Sequence, residues 1–448
     1  MKTRFLGAVA LVSTIALIPA ATTALSGTEA DTYRQIGNFV DVFERVRQDY
    51  VESVDDEKLI KGAIQGMLSS LDPHSSYLDE RDFENLRTQT DGNYGGLGLS
   101  VTLEDDVVKV IAPIADTPGD RAGIKAGDYI THLDGKLVYG ASLDEAVDQM
   151  RGPPGSTITL TIVRPGRDKP FDVTVTRAVI DLKPVKWEVK GSVGIISIAS
   201  FSDNVGNDVI AAIKGIDKSL GRPPLGYILD MRSNPGGLLQ EAVAVSDVFI
   251  EKGEVVSQRG RNRADNEVFN ARPGDFARGL PVIVLIDSGS ASASEIVAGA
   301  LQDHKRGLVM GERSFGKGSV QTLLPLSRTT ALRLTTARYY TPSGRSVQEG
   351  GIRPDIRVPQ LSDPDYKERP KFREADLRKH LINEAAVKDD LLEEDQITDP
   401  RFKQTADDLK KQGIEDFQLH YALETLNRLG KGVMALRPDR PVPAKNGK

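Results

Sequence analysis

The chain has 448 residues, 39% of them apolar, which is enough to bury more than one core. A formal net charge of -6 with no long basic block argues against a nucleic-acid binder. Cysteine is absent, and that excludes disulfide frameworks, thiolate metal sites, cysteine nucleophiles and a lipoprotein anchor.

Residues 1–24 carry Lys2 and Arg4, an apolar run from Phe5 to Ala20 broken by Pro19, and then Thr22, Thr23 and Ala24, small residues suited to cleavage. This is the pattern of a secretory signal, and the run is short for a membrane span. The expected product is exported to a periplasmic or other extracytoplasmic space, and an uncleaved signal would leave it membrane-associated. Residues 25–91 read as a helical module. Ile36, Phe39, Val40, Phe43 and Val46 recur at helical period, as do Ile60, Ile64, Met67 and Leu68. His74 follows Asp72-Pro73 with no second ligand nearby, so it reads as a turn residue and no metal site is assigned.

Residues 92–180 open on Tyr94-Gly-Gly-Leu-Gly-Leu99, pass through a hairpin at Glu104 to Asp106, and include AGIKAGDYITHLDG. A helix follows, with Ser142 and Glu145 spaced as a capping box and an apolar face of Leu143, Ala146, Val147 and Met150. This stretch resembles a PDZ domain. The backbone at Gly95, Gly96, Leu97, Gly98 and Leu99 is then expected to cradle a terminal carboxylate, because glycine lets the main chain approach closely. A polypeptide tail would add as a strand beside Leu99 to Val101. Arg151, where the helix ends, is assigned a gating role.

Residues 181–358 read as an α/β core. Gly194 to Ala199 is a predicted strand, Asn204 to Leu220 a helix, and Leu225 to Met231 a strand ending in Asp230-Met-Arg-Ser-Asn-Pro-Gly-Gly237. Pro281 to Ile286 is an apolar, β-branched run that a Ser-rich turn joins to a helix, and Leu308 to Met310 is the next strand, which makes a βαβ unit. A serine at such a turn stands at the carboxyl edge of the sheet beside free helix N–H groups, which suits a nucleophile that generates an oxyanion. Spacing alone leaves Ser290, Ser292 and Ser294 open. The chain has only five histidines, and His304 lies at the far end of this helix, so Lys317 of Gly316-Lys-Gly318 is the better base, with burial keeping its amine uncharged. Gly311 to Lys317 also fits a phosphate-binding loop, but Gly318 replaces the required hydroxyl and the residues that follow read as a strand rather than a helix.

SASASE, GERSFGKGSVQ and YYTPSGRSVQEGGIRPDI together resemble the C-terminal processing, or tail-specific, proteases, serine peptidases of Ser-Lys type. The resemblance implies Ser292 as nucleophile, Lys317 as base and Gln321 in support of the lysine. It also implies an oxyanion hole from backbone amides at Gly236 or Gly237 and Ala293. The implied fold is multidomain α/β, with a mixed βαβ protease core of crotonase-like, ClpP-type resemblance, a small β-rich PDZ domain and helical modules at both ends. The implied function is an endopeptidase that needs no cofactor and recognises the free C-terminal tails of polypeptides, cutting near that end. Family partners include a helical-repeat adaptor. A catalytically inactive PDZ scaffold is the alternative, against which Ser292, Lys317 and Gln321 all stand intact.

Residues 359–448 turn charged, which marks a solvated linker. A helix at Asp416 to Leu429 follows, with a stripe of Leu419, Leu423, Leu426 and Leu429. The stripe reads as core or as a contact with a partner helix, and because the carboxyl-terminal helices join subunits in some members of the resembled family, a homo-oligomer is expected. The tail from Pro438 is rich in proline and basic residues.

Overall fold

The computed structural model describes residues 27–104, 106–114, 116–140, 142–181, 183–366, 372–384, 399 and 401–436. The expected signal at 1–24 and the tail from Pro438 lie outside the described residues. The chain divides into two units, one ending at Gly66 and one beginning at Met67. The first holds helix α1 (Gly27–Asp49) and most of α2 (Asp56–Ser69). Arg47 in the last turn of α1 and Asp56 in the first turn of α2 each complement a helix dipole, and they lie 3.5 Å apart.

The second unit opens with β1 (Ser76–Leu78) and α3 (Glu80–Asp91), which Asp79 caps and Gly92 ends. A β-rich domain follows, entered by β2 (Asn93–Gly96). It runs through β3 (Leu99–Glu104), β4 (Val107–Pro113), the short α4 (Pro118–Arg121), β5 (Tyr129–Leu133) and β6 (Lys136–Leu137). Helix α5 (Leu143–Met150), β7 (Thr157–Val163), β8 (Phe171–Thr176) and β9 (Ala178–Asp181) complete it. Strands β3, β4, β5, β7 and β8 form one antiparallel sheet, and β2 pairs with β9 to close the domain on its own ends. The capping box of α5 forms as its sequence predicts, with Glu145 N–H to Ser142 Oγ at 3.2 Å and Ser142 N–H to Glu145 Oε2 at 2.9 Å.

The core contains β10 (Val185–Lys190), β11 (Val193–Ile198), α6 (Val205–Leu220), β12 (Gly226–Asp230) and α7 (Leu239–Phe249). It continues with β13 (Gly253–Gly260), β14 (Glu267–Ala271), β15 (Val282–Ile286), α8 (Ala293–Asp303) and β16 (Leu308–Gly311). The last elements are β17 (Ser319–Pro325), β18 (Ala331–Tyr340), β19 (Ile356–Arg357), α9 (Ala406–Lys411) and α10 (Phe417–Leu436). One sheet has the order β10-β11-β12-β15-β16-β19, parallel except for β10. The hairpin of β17 and β18 belongs to a second sheet with β1, β13 and β14.

The parallel strands read as continuous apolar runs because both of their faces are buried. Ile196, Leu229 and Val284 pack under α6, α7 and α8. Ile195, Ile228 and Ile283 pack under Phe417, Ala422 and Leu426 of α10. The leucine stripe is therefore core along most of its length, with only Leu429 exposed, and the expected homo-oligomer draws no support from it. Arg232, just beyond β12, pairs with Asp230 and with Asp416 at 2.7 Å each, pinning the start of α10 to the sheet edge. Leu426→Ala is expected to cost about 2–5 kcal/mol in denaturant unfolding, the usual range for a fully buried leucine. A cost below about 1 kcal/mol would show that α10 adds little to the core.

Candidate active site

Strands β15 and β16 are parallel neighbours, so the loops that follow them leave the sheet at one edge. The first loop ends at Ser292, the N-cap of α8, with φ 54° and ψ -111°. A serine rarely adopts that conformation, and holding it there costs on the order of 1–3 kcal/mol. The neighbouring serines hold the turn in place. Ser290 Oγ donates to the Met231 carbonyl at 2.8 Å, Ser294 Oγ to the Asn234 carbonyl at 2.9 Å, and both serines are fully buried. Ser292 is only partly buried. The three serines that spacing could not separate are thus distinguished by burial and hydrogen bonding.

Glu295, in the first turn of α8, joins this turn to the second loop. Its Oε2 accepts the N–H of Ser292 at 2.8 Å and of Lys317 at 2.9 Å. Its Oε1 accepts the N–H of Gly316 at 2.7 Å and the hydroxyl of Ser314 at 2.6 Å. The side chain is fully buried, and burial pushes the carboxyl up to about 7 against the pull of these four donors.

The Lys317 amine is lowered from the usual lysine range by burial, while the charges of Glu374, Glu295 and Asp72 oppose that shift and Arg333 assists it. Its carbonyl accepts the hydroxyl of Tyr339, a fully buried residue whose hydroxyl also reaches the Ser292 side chain. The Ser292 hydroxyl and the Lys317 amine form no hydrogen bond with each other here. Gln321 on β17 donates to Ser319 Oγ at 3.0 Å and Thr335 Oγ1 at 3.3 Å, and not to Lys317.

Of the candidate oxyanion amides, Gly236 N–H donates to Asn234 Oδ1 at 2.9 Å, so it is already engaged. The bridge beside it runs from Phe201 N–H to Gly236 O and from Leu238 N–H to Phe201 O, leaving the Gly237 amide out of it. Gly236 has φ 100°, and a Cβ there would stand 2.9 Å from both Ala293 N and Ser292 Cβ, so this loop touches the serine turn directly. Gly237 and Ala293 remain as the pair with amides available at this turn.

In the β-rich domain, a narrow cleft runs between the glycine loop, β3 and α5, lined by Gly96, Leu97, Gly98, Leu99, Val147 and Arg151 among others. Gly98 has φ 72°, and a Cβ there would meet the Thr117 side chain at 2.3 Å, so the loop's shape depends on glycine. Gly95 lies outside the lining and instead accepts the Gly152 N–H at 3.1 Å. Arg151 lies over the Tyr94 ring, 5.3 Å from its centroid, and donates to Asn85 on α3.

Residues 192–358 match the model of peptidase family S41, residues 95–175 a PDZ domain, and residues 16–82 the N-terminal domain of the activating protease CtpB. Over 367 residues, 82% of this chain and 85% of the relative, the sequence is 52% identical to a carboxy-terminal-processing protease of Bartonella bacilliformis. The chain belongs to peptidase family S41. This S41 peptidase is also 35% identical to carboxy-terminal processing protease CtpB of Bacillus subtilis, over 78% of the chain and 72% of the relative. Among solved structures it is similar to the photosystem II D1 C-terminal processing protease, at 29% identity, 71% coverage of this chain, 92% of that one and a TM-score of 0.43. The multidomain α/β fold with its PDZ domain, and a serine-type carboxy-terminal processing endopeptidase, are thereby established.

Sequence reasoning missed three groups in this S41 peptidase. Glu295 closes the SASASE segment, to which the sequence reading assigned only serine chemistry. Asn234, fully buried, ties the glycine turn to the serine turn through its carbonyl, which also accepts Ala291 N–H at 3.0 Å. Glu374, also fully buried, accepts from Gln348 at 3.1 Å and meets His74 Nε2 at 2.9 Å, while its N–H donates to the Phe315 carbonyl two residues before Lys317. His74 thus has a structural partner. Among the described residues no group of three or more His, Asp or Glu side chains is placed to hold a metal ion.

The raised Glu295 carboxyl has a measurable consequence. Between its ordinary value of 4.5 and about 7, the folded protein keeps a proton there that the unfolded chain releases. The associated stability is fully present below pH 4.5 and is lost as pH rises through about 7, by up to roughly 3 kcal/mol at 1.4 kcal/mol per pKa unit. Denaturant unfolding between pH 4 and 8 is expected to show this fall in the native protein and not in Glu295→Gln. Identical pH dependence in the two proteins would exclude the shift.

Proposed function

We propose that this S41 peptidase is exported, binds the free C-terminal tail of a polypeptide in its PDZ cleft, and hydrolyses a peptide bond near that end with a Ser292–Lys317 dyad. One observation carries the reading: among the three serines of the turn, only Ser292 keeps its hydroxyl out of a buried bond to a carbonyl, and its N–H shares one carboxylate oxygen with that of Lys317.

In this reading the neutral Lys317 amine takes the Ser292 proton as Oγ bonds to the scissile carbonyl carbon. The oxyanion accepts from the Ala293 and Gly237 amides. Lys317 then returns the proton to the leaving nitrogen as the C–N bond breaks, and afterwards activates the water that releases the acyl group. The hydroxyl-to-amine hydrogen bond closes with substrate in place, as catalytic contacts do in many unliganded enzymes. Gln321 supports the amine only after releasing Ser319 or Thr335.

Tail selection rests on the glycine loop and α5. Arg151 reports cleft occupancy through its bond to Asn85, and Arg151→Ala is expected to retain tail binding by titration while losing stimulation of cleavage by added tail peptide. Export rests on the pattern at residues 1–24, and among the described residues no helix is long and apolar enough to cross a membrane. N-terminal sequencing of the mature protein reads that processing directly.

Incubation with a tailed polypeptide decides the chemistry. Ser292→Ala and Lys317→Ala are each expected to lose cleavage by about 10³-fold or more while still binding the tail. In the native enzyme kcat/KM is expected to rise with pH along a limb below the ordinary lysine range, because only the neutral amine accepts the proton and burial lowers its value. Full activity in Lys317→Ala, or a limb at the ordinary lysine position of about 10.4, would remove the dyad from consideration.

A further inference from the structure

We propose that Glu295 is a positioning residue for peptide-bond hydrolysis: one buried carboxylate holds the Ser292 turn and the Lys317 loop in register, and so sets turnover without touching substrate. The inference rests on the Ser292–Lys317 reading given above.

The protein supplies its own control. Glu145 stands at the same N3 position in α5 as Glu295 in α8, in the same capping-box spacing. Glu145 is exposed, and its hydrogen bonds go to its own cap residue, Ser142. Glu295 makes the corresponding bond to Ser292 N–H and then collects three further donors from 314–317, a loop delivered by a different strand. Capping α8 requires only the first of these. The other three cross from nucleophile to base.

A direct backbone bond also links the loops, Phe315 N–H to the Ser290 carbonyl at 3.0 Å, but it lies two residues short of either reacting side chain. At Ser292 and Lys317 themselves the tie is the carboxylate, with both amides on the same oxygen. All four partners are donors, so the position calls for an acceptor at both ends of the side chain. Glutamine has the right shape and the wrong chemistry, since its NH₂ must face one pair of donors. A misplacement of about 1 Å between nucleophile and base is enough to cost roughly 100-fold in rate.

The test uses the full-length protein with Glu295→Gln, and with Ser314→Ala, which removes a single donor to Oε1. Cleavage kinetics of a tailed polypeptide, tail-peptide affinity, thermal melting and the pH profile of kcat/KM are measured for each. Glu295→Gln is expected to keep KM and tail affinity within about threefold while kcat falls roughly 100-fold. Ser314→Ala is expected to show the same split with a smaller fall in kcat. The pH limb supplies a readout that a merely structural role would not move. Glu295, with Glu374 and Asp72, acts to raise the Lys317 amine against burial and Arg333, so deleting its charge shifts the limb of Glu295→Gln to lower pH.

A kcat within threefold of the native value in folded Glu295→Gln overturns the proposal, as does a loss accounted for by the unfolded fraction with the limb unmoved. Should Glu295→Gln fail to fold, Ser314→Ala decides alone, and an unchanged kcat there overturns it. Ser292→Ala is run beside them: cleavage surviving in that variant would remove the dyad reading itself, whereas its loss together with an active Glu295→Gln removes only the role assigned to Glu295.

Discussion

The reacting edge of this peptidase depends on a carboxylate buried without a basic side chain among its hydrogen-bond partners. Taking the Glu295 side chain out of water costs several kcal/mol. Each hydrogen bond to a charged group returns about 1.5–3 kcal/mol, so four donors offset much of the burial, and the raised carboxyl shows that burial still outweighs them. A residue kept where its ionisation costs stability is informative for its geometry. A parallel βαβ unit brings the ends of β15 and β16 to the same edge, but loops that leave neighbouring strands have no intrinsic reason to keep their side chains in atomic register. A planar acceptor between them supplies that register.

The strain at Ser292 belongs to the same arrangement. The alternation Ser290-Ala-Ser292-Ala-Ser294 places two hydroxyls in bonds to the 231–234 segment. Hydrogen bonds of about 1 kcal/mol each, with the added bond from Ala291 N–H to the Asn234 carbonyl, are comparable to the cost of one residue at positive φ. The small residues let the two loops meet, since the Gly236 backbone lies where a Cβ would collide with the serine turn. Ser292 is left partly exposed by neighbours that are not.

Much of the scaffold was legible because its signals are local. The βαβ unit of β15, α8 and β16, the hairpin of β17 and β18, and the cap of α5 all follow from residues within a few positions of one another. The choice among three serines was not legible from spacing, since the partners that bury Ser290 and Ser294 come from a loop about sixty residues earlier. The partners that Gln321 takes here were not legible for a related reason. The ladder between β17 and β18 shifts register between Val320 and Gln321, so the glutamine is opposite Thr335 and bonds there. The carboxyl-terminal helices read as a separate module behind a charged linker. The sheet itself held the contrary hint, for strands apolar on both faces need cover on both, and α6, α7 and α8 all lie on one.

The contacts that leave the PDZ cleft lead to the glycine turn rather than to Ser292. Arg151 bonds to Asn85 on α3, and near the end of that helix the Thr90 carbonyl accepts Asp203 N–H at 2.8 Å. Two residues earlier, Phe201 exchanges backbone hydrogen bonds with Gly236 at 3.0 Å and Leu238 at 2.7 Å, on either side of the Gly237 amide. The Ser292 turn is held by Glu295 and by the bonds of its neighbouring serines, while Gly237 is held through one isolated bridge. Spatial continuity alone does not make coupling, which needs an element with two arrangements that both sites bias. Of the two turns, the contacts from the cleft reach the one carrying the Gly237 amide first. On the proposed reading, the contacts from that cleft run to the Gly237 amide before they run to Ser292 and Lys317.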